Sequence, residues 1–139
     1  LLNFALAYFD QKEFNLSAKS FTRLQMMPDY KETDESLRMK VAVAELMTRH
    51  ELNDYSTFDY KLKQFKKDFR GVLNKPENEP EKLMSEILKL MMSVNNRKNR
   101  AIELRIAQLK TFSKEEDQSG LINYLDWLQE KKLFKNKIR

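Results

Sequence analysis

Phe58, Leu62, Phe65, Phe69 and Val72 step by four, three, four and three residues, and that spacing is the tightest constraint the chain carries. Residues so spaced fall on one side of an α-helix, whereas on a strand they would scatter over both faces. The same rhythm recurs on either side of this seam. Leu1, Phe4, Ala5, Tyr8 and Phe9 predict a first helix face. Phe14, Ser17, Ala18, Phe21 and Leu24 predict a second, which ends before Pro28 because the proline ring and missing N–H oppose continuation. Leu37, Val41, Ala44, Met47 and Leu46 mark a buried face of the third, and Asn53-Asp54 supplies a stop followed by an N-cap for the fourth, the helix of the seam.

Beyond Gly71 and Asn74-Lys75-Pro76, the stretch from Pro76 to Pro80 is the best linker candidate, with Pro80 suited to a first helical turn. Leu83, Ile87, Leu90, Met91 and Val94 predict a fifth helix, and Ile102, Ile106 and Leu109, with Ala101 and Leu104 beside them, a sixth. Ser113 with Glu116 three residues on is a capping-box signature, which predicts a seventh helix carrying Leu121, Leu125, Trp127 and Leu128. The expected breaks are Asp10–Glu13, Pro28–Glu32, Asn53–Asp54, Asn74–Asn78, Asn95–Asn99 and Phe112–Ser113. Phe14, Phe21, Tyr55, Phe58, Leu62, Phe65 and Phe69 are the expected core.

Composition agrees with helix throughout. Only two glycines and three prolines stand among 139 residues, and neither Asn-Gly nor Asp-Gly occurs, so the turns that sheets need at short intervals are missing. One domain of this length buries roughly two thirds of its unfolded surface. No apolar run approaches the roughly 20 residues of a membrane span. The chain opens Leu1-Leu2-Asn3 without a methionine, which leads us to expect a piece of a longer polypeptide. With no cysteine there are no disulfides, thiolate nucleophiles or cysteine metal sites, and a cytoplasmic location is the expectation.

Several chemistries are searched for and found wanting. His50 is the single histidine, too little for zinc or for a triad; a helix-end histidine facing the C-terminal dipole is the plainer reading. Glu77, Glu79 and Glu81, and Glu115, Glu116 and Asp117, fall at predicted helix starts, where the dipole favours negative charge. Gly71 and Gly120 are isolated, so no phosphate-cradling loop exists. The expectation is therefore a chain without enzymatic activity, cofactor or metal. Met26-Met27, Met84 and Met91-Met92 are read as core filler rather than as an adaptable groove.

Charge points two ways. Lys+Arg number 26 against 21 Asp+Glu, a formal net charge of +5, too small an excess to identify a nucleic-acid binder. Lys63, Lys66, Lys67 and Arg70 nevertheless share one side of the fourth helix, Arg97, Lys98, Arg100 and Arg105 cluster near the sixth, and Lys131, Lys132, Lys135, Lys137 and Arg139 crowd the end. Such a stripe can meet phosphates, or it is a solvated face whose long stems cover apolar edges. Aromatics such as Phe65 sit at core spacing rather than between the lysines, which weighs against a stacking platform.

Over residues 1–28, Leu1, Phe4, Ala5, Tyr8, Phe14, Ser17, Phe21, Leu24 and Pro28 resemble the large-small-large spacing of a tetratricopeptide repeat. Ala5 and Ser17 hold the small positions, and Lys12 falls where that family prefers glycine. Asn53-Asp54-Tyr55 is similar to the family's Gly-Asp-Tyr turn apart from the glycine, with Tyr55 in the role of Phe14. Those two positions lie 41 residues apart, against the usual 34. After Pro76 the likeness is one of alternating helices only. In tone the chain also resembles C-terminal regions of bacterial tetratricopeptide proteins.

The resemblance implies an all-α chain of antiparallel helix hairpins stacked as a short right-handed solenoid. It implies a single helical-repeat domain over 1–139, with two hairpins in 1–75 and further helices and a cap in 76–139. It implies a scaffold or adaptor for a protein or peptide, held on a concave face built from the first helix of each hairpin. Exposed positions there would include Asn3, Gln11, Arg38, Glu45 and Arg49, with Arg38, Glu45 and Arg49 on one side of the third helix; an intrahelical Glu45–Arg49 pair is the plainer alternative. Two other readings stand beside it: a regulatory module meeting nucleic acid through its basic faces, or a structural self-association domain.

Overall fold

The computed structural model describes residues 1–93, 99–116 and 121–133, with the backbone alone for 113–116. Among these residues there are seven α-helices and no strand: α1 (Leu2–Asp10), α2 (Phe14–Gln25), α3 (Glu35–Glu51), α4 (Tyr55–Asp68), α5 (Glu79–Ser93), α6 (Arg100–Glu116) and α7 (Tyr124–Glu130). The chain divides into two compact units, Leu1–Gly71 and Val72–Arg139. No described helix is long and apolar enough to cross a membrane.

In the first unit α1 packs on α2, α2 on α3 and α3 on α4. The α1–α2 turn is closed by the N–H of Glu13 on the carbonyl of Tyr8 at 2.8 Å and that of Lys12 on Phe9 at 3.0 Å. Lys12 takes φ 63° to allow it. The α3–α4 turn repeats this: Asp54 donates to Arg49 and Asn53 to His50, both at 3.1 Å, with Asn53 at φ 56°. Both are the paired carbonyl-capping arrangement in which a left-handed residue ends a helix, usually a glycine. Here lysine and asparagine take that place, 41 residues apart. Ser17 seals the first pair by donating its hydroxyl to the Ala5 carbonyl at 2.8 Å.

The sequence seam holds through Phe69, while Val72, its last member, is half-buried and lies beyond the end of α4. Phe21, Phe58, Leu62, Phe65 and Phe69 are buried, while Phe14 is half-buried with its edge against Phe9 at 5.3 Å. Tyr55 departs from expectation: it is 58 % exposed, and its hydroxyl reaches Asn53 instead of the core. The ring contact of the second pair moves one turn on, to His50 edge-on against Phe58 at 6.5 Å. On α1 the face is narrower than its pattern. Ala5 and Phe9 are buried, but Phe4 is 62 % and Leu1 41 % exposed, because α1 packs chiefly on one neighbour, α2. α3 is the reverse. Every residue from Val43 to Thr48 is buried, since α2 and α4 cover it from two sides. Asp34 caps α3 by accepting from the Leu37 N–H, and Asp54 caps α4 by accepting from Thr57. Met39, Met47 and Met84 are core, yet Met26 and Met27 are exposed, in the turn that leaves α2.

In the second unit a 3-10 turn, Pro76–Asn78, runs directly into α5, with the Asn78 amide donating to the Val72 carbonyl at 2.8 Å. α5 packs on α6 through Leu83, Ile87, Ile102, Ile106 and Leu109, all buried. Leu104 faces outward at 57 % exposure. The expected break at Asn95–Asn99 falls largely outside the described residues, though Asn99 caps α6 by accepting from Ala101 and Ile102.

The expected break at Phe112–Ser113 is overturned. α6 continues to Glu116, because Thr111-Phe112-Ser113-Lys114 contains no proline or glycine and a lone serine costs a helix interior little. Glu115 and Glu116 therefore stand at a helix end, not a start. α7 begins instead at Tyr124, where Asn123 accepts from the Asp126 N–H. Its Trp127 and Leu128 are buried. The Tyr124 hydroxyl donates to buried Glu81 of α5 at 3.0 Å.

Candidate binding surfaces

The helices of the first unit enclose a cleft of about 520 Å³. Ala42, Phe65 and Phe69 provide its apolar wall, Gln25, Tyr30 and Gln64 its neutral polar groups, and Lys31, Arg38, Glu45, Lys61 and Asp68 its charges. The seam that makes α4 pack inward also brings Phe65 and Phe69 to the edge of this cleft, 5.4 Å apart.

Glu45 is not an exposed groove residue, as its spacing suggests, but 2 % exposed. The cause is convergence of three helices. One carboxylate oxygen accepts from the Gln25 amide of α2 at 2.9 Å. The other lies 3.6 Å from the Lys61 ammonium of α4 and 3.8 Å from the Arg49 guanidinium on its own helix. Arg49 continues the chain to Asp54, the α4 cap, at 3.2 Å. Four alternating charges thus run from Lys61 to Asp54 and knit α3 to α4. The intrahelical Glu45–Arg49 pair exists, as one link of that chain.

Arg38 and Glu45 line the same cleft, while Arg49 lines a second groove with Asn15, Lys19 and Arg23. The three stand on one side of α3, but Glu45 between the two arginines is buried and Arg49 borders a different groove, so they offer no continuous exposed surface. Arg38 donates its Nε to the Thr33 carbonyl at 3.2 Å. Burial pushes the Tyr30 phenol up to about 12, a rise that the Arg38 charge opposes and the Glu45 charge supports. Its hydroxyl stays a donor at any physiological pH.

Lys63, Lys66 and Lys67 are exposed on α4, and Arg70, expected on the same helix, is exposed in the turn that follows its end at Asp68. Lys63 pairs with Asp59 at 3.3 Å, both in solvent. The spacing argument overlooked an aromatic on this side. Tyr60 is 63 % exposed, and with Lys63 and Lys67 it steps by three and four, so the three share one stripe of the helix, with Arg70 in the turn beyond it. Its absence from the 58–62–65–69 seam was the available signal. Gln25, Tyr30 and Lys61 carried none, because nothing local marks residues that meet across helices.

Elsewhere, a shallower groove between α5 and α6 is crossed by the Arg105–Glu86 pair at 2.9 Å. His50 is half-buried in the last turn of α3. Among the described residues no three of the histidine and carboxylate side chains gather as a metal site would need. Comparison of the chain with protein-family models, curated proteins and solved structures found no match.

Proposed function

We propose that this chain is a non-enzymatic scaffold module that binds a segment of another protein or a peptide, built as a tetratricopeptide-like right-handed stack of helix hairpins. The repeated turn supports the architectural half of this reading: Lys12 and Asn53 end α1 and α3 with the same backbone arrangement. The cleft of the first unit carries the functional half. Its donors and acceptors project from helices, so a ligand meets groups already fixed in place and no loop has to be ordered on binding. Phe65 and Phe69 border the cleft beside Arg38, Tyr30 and Gln64, and a few polar groups held in place are what set a peptide's register.

The reading includes a cytoplasmic setting, where a cysteine-free chain requires no oxidative folding step. Selection from a random peptide display library against the purified protein tests it. Selected peptides should lose roughly ten-fold or more in affinity to Arg38→Ala or Gln64→Ala proteins that remain folded, the effect of a hydrogen bond worth about 1.5 kcal/mol. Peptides that bind both variants as tightly as the parent would remove the cleft from the proposal.

A further inference from the structure

The outward side of α4 belongs to neither the core nor the cleft. Lys61, Gln64, Phe65 and Asp68 turn toward the cleft, and Phe58, Leu62 and Phe69 are buried. At 100° per residue the opposite side of α4 presents Tyr60, Lys63 and Lys67 within about 60° of one another, with Lys66 on its flank and Arg70 in the turn that follows the helix. All five are exposed. Tyr60 makes no hydrogen bond among the described residues, and its ring stands 63 % in solvent. Lys67 and Arg70 make no ion pair among the described residues, and Lys63 has only the solvent-exposed Asp59.

We propose that this stripe binds single-stranded nucleic acid, a base stacking on the Tyr60 ring while Lys63, Lys67 and Arg70 meet successive phosphates. From Tyr60 to Lys67 the stripe is about 10 Å long at 1.5 Å per residue, enough for about two nucleotides, and Arg70 lies just beyond its end. Three points favour a single strand over other polyanions. The cations form one row rather than two flanking rows, so they follow one backbone. The aromatic stands at the end of that row and on the same stripe, where a base can lie flat on it, which a duplex does not permit without unstacking. An acidic peptide would satisfy the cations but leave the ring unused. The electrostatic part is sequence-independent, so recognition is of backbone and stacking rather than of base edges.

The test uses the whole chain and a fluorescent oligo-dT of about 12 nucleotides, followed by anisotropy. Binding should weaken with salt at a slope of about −2 in log K against log salt, from three phosphates at about −0.7 each. Tyr60→Ala should cost roughly ten-fold, Tyr60→Phe should retain binding, and Lys67→Glu with Arg70→Glu should abolish it. Asp59→Asn, which frees Lys63, should tighten it. Lys19→Glu, an equal charge change off the stripe, should alter affinity far less. The proposal is overturned if the parent does not bind at the lowest salt. It is also overturned if Tyr60→Ala binds like the parent, if Lys19→Glu is as damaging as Lys67→Glu, or if duplex DNA or polyglutamate binds as tightly as the single strand. All these substitutions fall at exposed positions, and a circular dichroism melt confirms that each variant is folded.

Discussion

The Glu45 carboxylate lies 3.6 Å from the Lys61 ammonium, an ion pair between α3 and α4 whose acidic partner is almost wholly buried and whose basic partner reaches solvent. The asymmetry decides which side matters. Lys61 loses little when left alone, because its stem lets the charge stay wet. The carboxylate keeps the Gln25 amide and the Arg49 guanidinium when Lys61 is gone, whereas its own removal leaves the half-buried Gln25 amide without that acceptor and Arg49 with Asp54 alone.

Glu45→Ala is accordingly expected to cost about 2 kcal/mol, within the range for leaving buried polar groups unmatched. Lys61→Ala should cost under about 1 kcal/mol. Urea unfolding of both proteins measures the difference, and a larger loss at Lys61 would contradict this account of the pair.

Two aromatic residues both expected in the core should behave oppositely. Phe65 is 2 % exposed, and truncation to alanine typically removes about 3–5 kcal/mol at such a site. Tyr55 stands in solvent, so Tyr55→Ala should stay within about 0.5 kcal/mol of the parent. Thermal melts of the two variants side by side discriminate clearly between these figures.

Lys12 and Asn53 hold positive φ without being glycine. An L-residue with a Cβ pays about 1 kcal/mol or more for that conformation, asparagine less than lysine. Lys12→Gly should therefore raise the urea midpoint, and Asn53→Gly should raise it by a smaller amount. Asn53→Ala should lower it. A drop for Lys12→Gly would show that the lysine side chain contributes something the turn geometry does not reveal.

Alkaline pH should destabilise the protein through two phenols. Burial raises Tyr30 to about 12 and raises Tyr124 well above the ordinary value of 10.0, the latter helped by the adjacent Glu81 carboxylate. A raised folded-state pKa means the unfolded chain releases the proton first. The stabilisation is thus complete below about pH 10 and is lost as pH climbs through the folded values. Stability measured from pH 9 upward should fall less steeply in Tyr30→Phe and Tyr124→Phe than in the parent. An unchanged slope in both would refute this assignment. Tyr124→Phe should also cost about 1.5–3 kcal/mol near neutrality, since its hydroxyl donates to a buried carboxylate.

What the sequence made legible was local. The 58–62–65–69 seam and the Asp54 cap each follow from one helix or one turn, and each stands in the structure. Distance defeated the rest. Glu45 looks like a surface residue on its own helix, and only Gln25 and Lys61, 20 residues before it and 16 after, determine that it is buried. Tyr55 was placed by analogy with Phe14, but His50 turns to Phe58 instead, so the ring contact skips a turn. Ser113 and Glu116 have capping-box spacing, yet the same residues suit a helix interior, and Asn123 provides a working cap further on. The cleft needed three helices at once, which no spacing within one of them reports.

The enclosure of α3 has a consequence for how the first unit opens. Amides on a helix covered from two sides can exchange with solvent only when its neighbours depart together, whereas α1, docked chiefly on α2, can fray alone. Deuterium uptake should therefore be slowest at Val43–Thr48 and fastest at Leu2–Asp10. The last protons to be lost would time the unfolding of the whole unit.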